Sequence, residues 1–170
     1  MKTKKVIVTP YNPQWEVAFE TIRKELAGIL GSLALRIEHV GSTSVPGMSA
    51  KPIIDLDVVI SGYEIFPEVV TRLEAAGYFH EGDLGIPGRE AFCYKGKLHL
   101  QKHHLYVCSA DSRELHRHIT FRDYLRAHPE DANIYREAKE KAARLYPDSI
   151  EGYMEYKSDC IAQIYRKCGL

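Results

Sequence analysis

The chain has 170 residues, 45% of them hydrophobic, with 23 lysines and arginines against 23 aspartates and glutamates. This length suits one domain with a sizeable core. The balanced charge excludes recruitment of nucleic acid or an anionic membrane by a global field, so a polynucleotide partner is not expected and only a local basic patch stays open. Cys93, Cys108, Cys160 and Cys168 form no Cys-x-x-Cys pair and lie in apolar or helical contexts. That is the pattern of reduced structural thiols and points to a cytoplasmic protein. The basic start offers only Val6-Ile7-Val8 as an apolar run, too short for a signal-peptide core, and no later run approaches the length of a bilayer span.

After this short extended start, Asn12 is the expected N-cap and Pro13 the first residue of a helix ending near Gly31. Trp15, Phe19, Ile22, Leu26 and Ile29 recur at three- and four-residue steps, which makes one apolar stripe and assigns Trp15 to packing. "ALRIEHV" reads as a strand running into Gly41. A turn and short helix over residues 44–50 follow, and then "PIIDLDVVI" as a central strand rich in β-branched residues. Residues 63–76 read as a helix stopped by Gly77. "REAFCYKG" and "KHHLYVCS" read as strands, giving an antiparallel component.

The last sixty residues contain no strand pattern. Helices are expected from Asp111 with an Asp-x-x-Glu start, from Pro129 to about Leu145, and from Asp148, with a second Asp-x-x-Glu start, to Cys168. Tyr135, Tyr146, Tyr153, Tyr156 and Tyr165 read there as packing, with no base-stacking platform among them. The expected fold is α/β (α+β): a mixed sheet flanked by helices over about 1–110 and a helical tail over about 111–170, within one domain.

The chemistry concentrates in residues 39–60, "HVGSTSVPGMSAKPIIDLDVVI". On a strand, Asp55 and Asp57 point to one face while Ile54, Leu56 and Val58 point to the other. Two carboxylates side by side in an apolar strand repel each other and lose hydration, so a cation belongs between them. Metal-assisted phosphoryl or nucleotidyl transfer needs such oxygen ligands on a rigid element. Gly41 and Ser42 end the preceding strand, where free amides and a hydroxyl can hold a phosphate. Twelve residues separate Ser42 from Asp55. Lys51, at the strand entrance, either meets the phosphate or pairs with a carboxylate. His39 reads as a hydrogen-bonded core histidine ahead of a general base. The histidines at 99, 103, 104, 116 and 118 match no zinc-site spacing.

The Gly-Ser, then Asp-x-Asp, order resembles the polymerase-beta-like nucleotidyltransferase superfamily. "EHVGSTSVPGMSAKPIIDLDVVI", with "HHLYV" and "FRDYLRAHP" downstream, resembles the GrpB family over nearly the whole chain. The resemblance implies a nucleoside triphosphate as partner, with Mg²⁺ or Mn²⁺ held by Asp55 and Asp57 and the β/γ-phosphates by Gly41 and Ser42. Arg89 and Arg122 lie in GrpB-like segments and become phosphate-binding candidates. The superfamily usually supplies a third carboxylate from a later strand. Here that strand offers His103, His104 and Tyr106, so His104 is the candidate third metal ligand, which favours Mn²⁺ or Zn²⁺. Tyr106 departs from the His-Leu-His pattern of GrpB-like sequences.

A related domain fused to some dephospho-coenzyme A kinases hints at nucleotide or coenzyme A chemistry. The reading is therefore a nucleotidyltransferase with an unknown acceptor. Its alternatives are a hydrolase of the same site and a non-catalytic phosphate-binding module. A dimer through a strand edge or the helical tail is compatible with the sequence.

Overall fold

The computed structural model describes residues 5–170, so Lys2 and Lys4 of the basic start lie outside the described residues. The first helix, α1, spans Gln14–Leu30. Asn12 caps it as expected, its side chain accepting from the Gln14 amide at 2.9 Å. Strand β1 (Arg36–Val40) leads through Gly41 into a single 3₁₀ turn at Ser42–Ser44, earlier and shorter than the expected helix. Strand β2 (Ile54–Ile60), helix α2 (Phe66–Ala75), β4 (Glu90–Tyr94) and β5 (His103–Ser109) fall where their patterns place them.

Strand β3 (Tyr78–Gly82) was not expected. It is an edge strand whose register with β4 slips between His80 and Gly82, and three of its five residues are exposed. An edge strand that buries so little carries no clear alternation to read.

The sheet order is β1-β2-β5-β4-β3. Only β2 and β5 run parallel; the other pairs are antiparallel. Ile54, Leu56, Val58 and Ile60 point to one face, where they pack with Trp15, Ile22, Leu26 and Leu30 of α1 and Val69 and Leu73 of α2. Each such side chain, nearly or fully buried, contributes about 1.5–3 kcal/mol. This makes β2 a rigid central element.

The other face receives helix α3 (Arg113–Ala127), whose Leu115 packs on Val59 and Cys108. Helices α4 (Pro129–Leu145) and α5 (Ile150–Cys168) follow as expected. Their Tyr135 and Ile164 close with Leu125 over Val45 and Met48, which seats the helical tail on the segment after Gly41. Both Asp-x-x-Glu starts are displaced by one residue. Ser112 and Ser149 are the caps, accepting from the amides of Leu115 and Gly152. Among the described residues no helix is long and apolar enough to cross a membrane. All four cysteines are free, with Cys93 exposed on β4.

Candidate active site

Strand β2 puts Asp55 between Val40 and His104, and Asp57 between Glu38 and Tyr106. Each carboxylate meets a histidine. Asp55 Oδ1 lies 3.0 Å from His104 Nδ1. Asp57, fully buried, accepts from His118 Nδ1 at 2.6 Å, while His118 Nε2 faces Glu114 Oε1 at 3.2 Å. With a carboxylate at both ring nitrogens, His118 is placed to donate from both when it is protonated. Burial by itself lowers its pKa, but the bond to Asp57 and the charges of Asp57 and Glu114 outweigh that and hold it above the ordinary histidine value. Burial raises the Asp57 carboxyl against the pull of His118. The two-sided geometry of the imidazole favours the ion pair. Asp57 Oδ1 keeps no hydrogen-bond partner.

Gly41 is required where it stands. Its φ is +75°, and a Cβ there would sit 2.4 Å from Asp55 Oδ2. The turn it begins presents Ser42, whose Oγ accepts from Lys139 Nζ at 2.6 Å. Lys139 is only 3% exposed. Burial, reinforced by the charge of Lys157, pushes its ammonium down to about 7, although Asp55 pulls the other way. Lys157 is pushed down to about 8 by burial and by Lys51.

The three lysines, with Ser42, Asp55 and His104, line a cavity of about 160 Å³ whose wall includes Tyr153. Lys157 and Lys51 lie 4.6 and 5.6 Å from that tyrosine's ring centre. Among the described residues none of the three lysines has a carboxylate partner. A buried lysine flanked by two half-buried ones, none of them in an ion pair, makes a site for a polyanion.

A second cavity of about 190 Å³ is lined by Val40, Gly41, Asp55, Arg89, Tyr106 and His118. Asp55 lines both cavities. The structure thus brings Gly41, Ser42, Lys51, Asp55, Arg89 and His104 together around Asp55. It does not bring Arg122, which donates to Glu38 Oε2 at 2.7 Å and to the His39 carbonyl at 3.0 Å and so ties α3 to β1. His39 is a core histidine, bonded to Thr43 Oγ1 at 2.9 Å and stacked on Phe19.

Sequence reasoning missed His118, Lys139 and Lys157. A signal for the lysines existed: Lys139 follows Tyr135 by four residues and precedes Ala142 by three, on the buried stripe of α4. Lys157 stands likewise four residues after Tyr153 on α5.

Mg²⁺ is commonly bound through one or two carboxylates, with its other positions filled by water and substrate phosphates. Asp55 and the partnerless Oδ1 of Asp57 fit that need beside a polyanion pocket. Among the described residues no three His, Cys, Asp or Glu side chains gather as a metal centre, and His104 faces Asp55 Oδ1. The residues fit a cation held jointly with phosphates.

A mixed sheet with two carboxylates on its central strand, a Gly-Ser turn beside them and helices around it defines a nucleotidyltransferase-like fold. The Cid1 poly(U) polymerase, solved bound to MgATP, shares this fold with a TM-score of 0.57 at 10% identity, over 81% of this chain and 44% of that one. The chain belongs to the GrpB family: the pattern described as GrpB protein matches residues 5–167. GrpB from Enterococcus faecalis superposes with a TM-score of 0.79 at 34% identity, covering 96% of this chain and all of that one. UPF0157 protein YqkA of Bacillus subtilis is 36% identical over 158 residues, 93% of this chain. The chain spans only 46% of that relative's length. A dephospho-CoA kinase of Mycolicibacterium paratuberculosis matches at 26% identity, over 95% of this chain and 46% of its own length.

Proposed function

We propose that this protein is a metal-dependent nucleotidyltransferase that binds a nucleoside triphosphate and transfers its nucleotidyl group to an acceptor. The observation that carries this reading is the convergence of Lys51, Lys139 and Lys157 on a cavity that Asp55 also lines, none of the three lysines being in an ion pair among the described residues. The triphosphate occupies that cavity. Lys139 and Ser42, already hydrogen-bonded to each other, hold its β/γ end, with the free amides after Gly41 adding neutral donors. Lys51 and Lys157 add charge from the rim. Asp55 and Asp57 hold Mg²⁺ or Mn²⁺, which supplies neutralisation of phosphate charge and polarisation of the reacting oxygens when bound. His118 holds Asp57 in place, and His104 orients Asp55. The fixed charges act by positioning and electrostatics, and need no reorganisation at the moment of reaction.

A second reading, a phosphate-binding module without turnover, is favoured by one observation. Tyr106 stands beside Asp57 on β5, the strand on which the superfamily usually supplies its third carboxylate. The kinase relative makes a coenzyme A precursor one of the ligands to test for either reading.

Calorimetric titration of chelator-stripped protein with ATP, CTP, GTP, UTP and dephospho-coenzyme A, with and without Mg²⁺ or Mn²⁺, tests the proposal. Metal-strengthened binding of a triphosphate, lost in Asp55→Asn, supports it, and pyrophosphate release on adding an acceptor separates transfer from binding alone. Triphosphate affinity indifferent both to metal and to Asp55→Asn would sink it.

A further inference from the structure

Besides Asp57 Oδ1, the other buried side-chain nitrogen or oxygen without a partner among the described residues is Arg89 Nε. The rest of the Arg89 guanidinium is equally uncommitted: it makes no hydrogen bond or ion pair among the described residues, and its Cζ sits over the Tyr106 ring, 4.2 Å from its centre. A cation–π contact holds a guanidinium against a ring without using its N–H donors. Arg89 lines the second cavity together with Gly41, Asp55, Tyr106 and His118. His118 spends both ring nitrogens on Asp57 and Glu114, so it offers this cavity no free donor. A buried donor left without a partner is destabilising, and a guanidinium held so is a seat for an oxyanion.

We infer that Arg89, backed by the Tyr106 ring, forms a second oxyanion subsite, distinct from the lysine cavity, that takes the phosphate or carboxylate of a small hydroxyl-bearing acceptor. Three features define the ligand. The guanidinium fork selects a planar or tetrahedral oxyanion. The cavity is small, and the chain's zero net charge supplies no basic track for a polymer. Asp55 lines this cavity and the lysine cavity alike, so an occupant here lies next to the same carboxylate as a bound triphosphate. The word acceptor rests on the nucleotidyltransferase reading; the oxyanion subsite itself does not.

The test needs no nucleotide. The full chain, labelled at arginine with ¹⁵N, is titrated with inorganic phosphate, glycerol 3-phosphate and glycerate while the Arg89 Nε–H resonance is followed, in wild type, Arg89→Met, Arg89→Lys and Lys139→Met. The expected result is a saturable shift of that resonance in wild type and in Lys139→Met. The calorimetric stoichiometry for phosphate should fall by one site in Arg89→Met and by a different one in Lys139→Met. Thermal unfolding of each variant reports whether it folds, and Arg89→Lys, which keeps the charge without the fork, should weaken the site by tenfold or more. An unmoved Arg89 resonance with all three ligands overturns the inference. So does a single phosphate site that disappears in Lys139→Met and survives Arg89→Met. If triphosphates fail to bind while Arg89 still responds, the nucleotidyltransferase reading fails and the subsite stands.

Discussion

Replacing Lys139 by methionine should make the protein more stable and worse at binding triphosphate. Lys139 is 3% exposed, and its ammonium is pushed from the usual 10.5 down to about 7. That displacement is worth about 5 kcal/mol against the folded state at pH values well below 7, where the lysine is charged both folded and unfolded. Methionine removes this penalty but also removes the bond to Ser42, worth about 1–2 kcal/mol. The net expectation at pH 6 is about 2–4 kcal/mol of added stability, or roughly 5–15 °C in Tm for a chain of this size.

The pH dependence carries the sign. Between about 7 and 10.5 the unfolded lysine keeps its proton while the folded one loses it, so the wild type gains stability as pH rises. The advantage of the methionine variant should therefore shrink by roughly 2–3 kcal/mol between pH 6 and pH 9. Urea unfolding at both pH values measures this, and calorimetry should show ATP affinity down by about 10- to 100-fold, the worth of a charge-assisted hydrogen bond. A variant no more stable than wild type at pH 6, or an advantage constant with pH, would refute a buried, strained ammonium.

Gly41→Ala should cost about 1–3 kcal/mol, because alanine meets a positive φ and its Cβ displaces Asp55 Oδ2; metal-strengthened nucleotide binding should go with it, and an unperturbed metal dependence would contradict the close approach. Arg122→Ala should lower urea stability by about 2–4 kcal/mol through loss of the Glu38 and His39 carbonyl contacts. Its nucleotide affinity should stay unchanged; a large affinity loss at unchanged stability would return Arg122 to phosphate binding. His39 is held down to about 4 mainly by burial. Stability should fall by up to about 3 kcal/mol as pH drops from 6.5 to 4, where the unfolded histidine takes a proton that the folded one refuses. Acid titration of unfolding in His39→Gln should lose that component, and an unchanged profile would assign it elsewhere.

The sequence alone determined the elements that depend on local pattern. The α1 stripe, the β-branched run of β2 and the Pro129 helix start are each encoded within a dozen or so residues, and they appear in place. The alternation of β2 likewise put Asp55 and Asp57 on one face, and the Gly-Ser turn lies beside them. The edge strand β3 was illegible because an edge that buries one side chain imposes no period. The caps slipped by one residue because aspartate and serine compete for the same role in Asp-Ser, and only the packed backbone chooses between them.

The tertiary structure decided which distant groups complete the site. It brought Lys139, 97 residues away, onto Ser42 and His118, 61 residues away, onto Asp57, and it turned Arg122 to the β1 edge. A lysine on an apolar stripe is visible in the sequence, but what it faces is set by how α4 and α5 pack over the segment after Gly41. Local pattern fixes which way a side chain leaves its own element, and only packing between elements fixes what it meets.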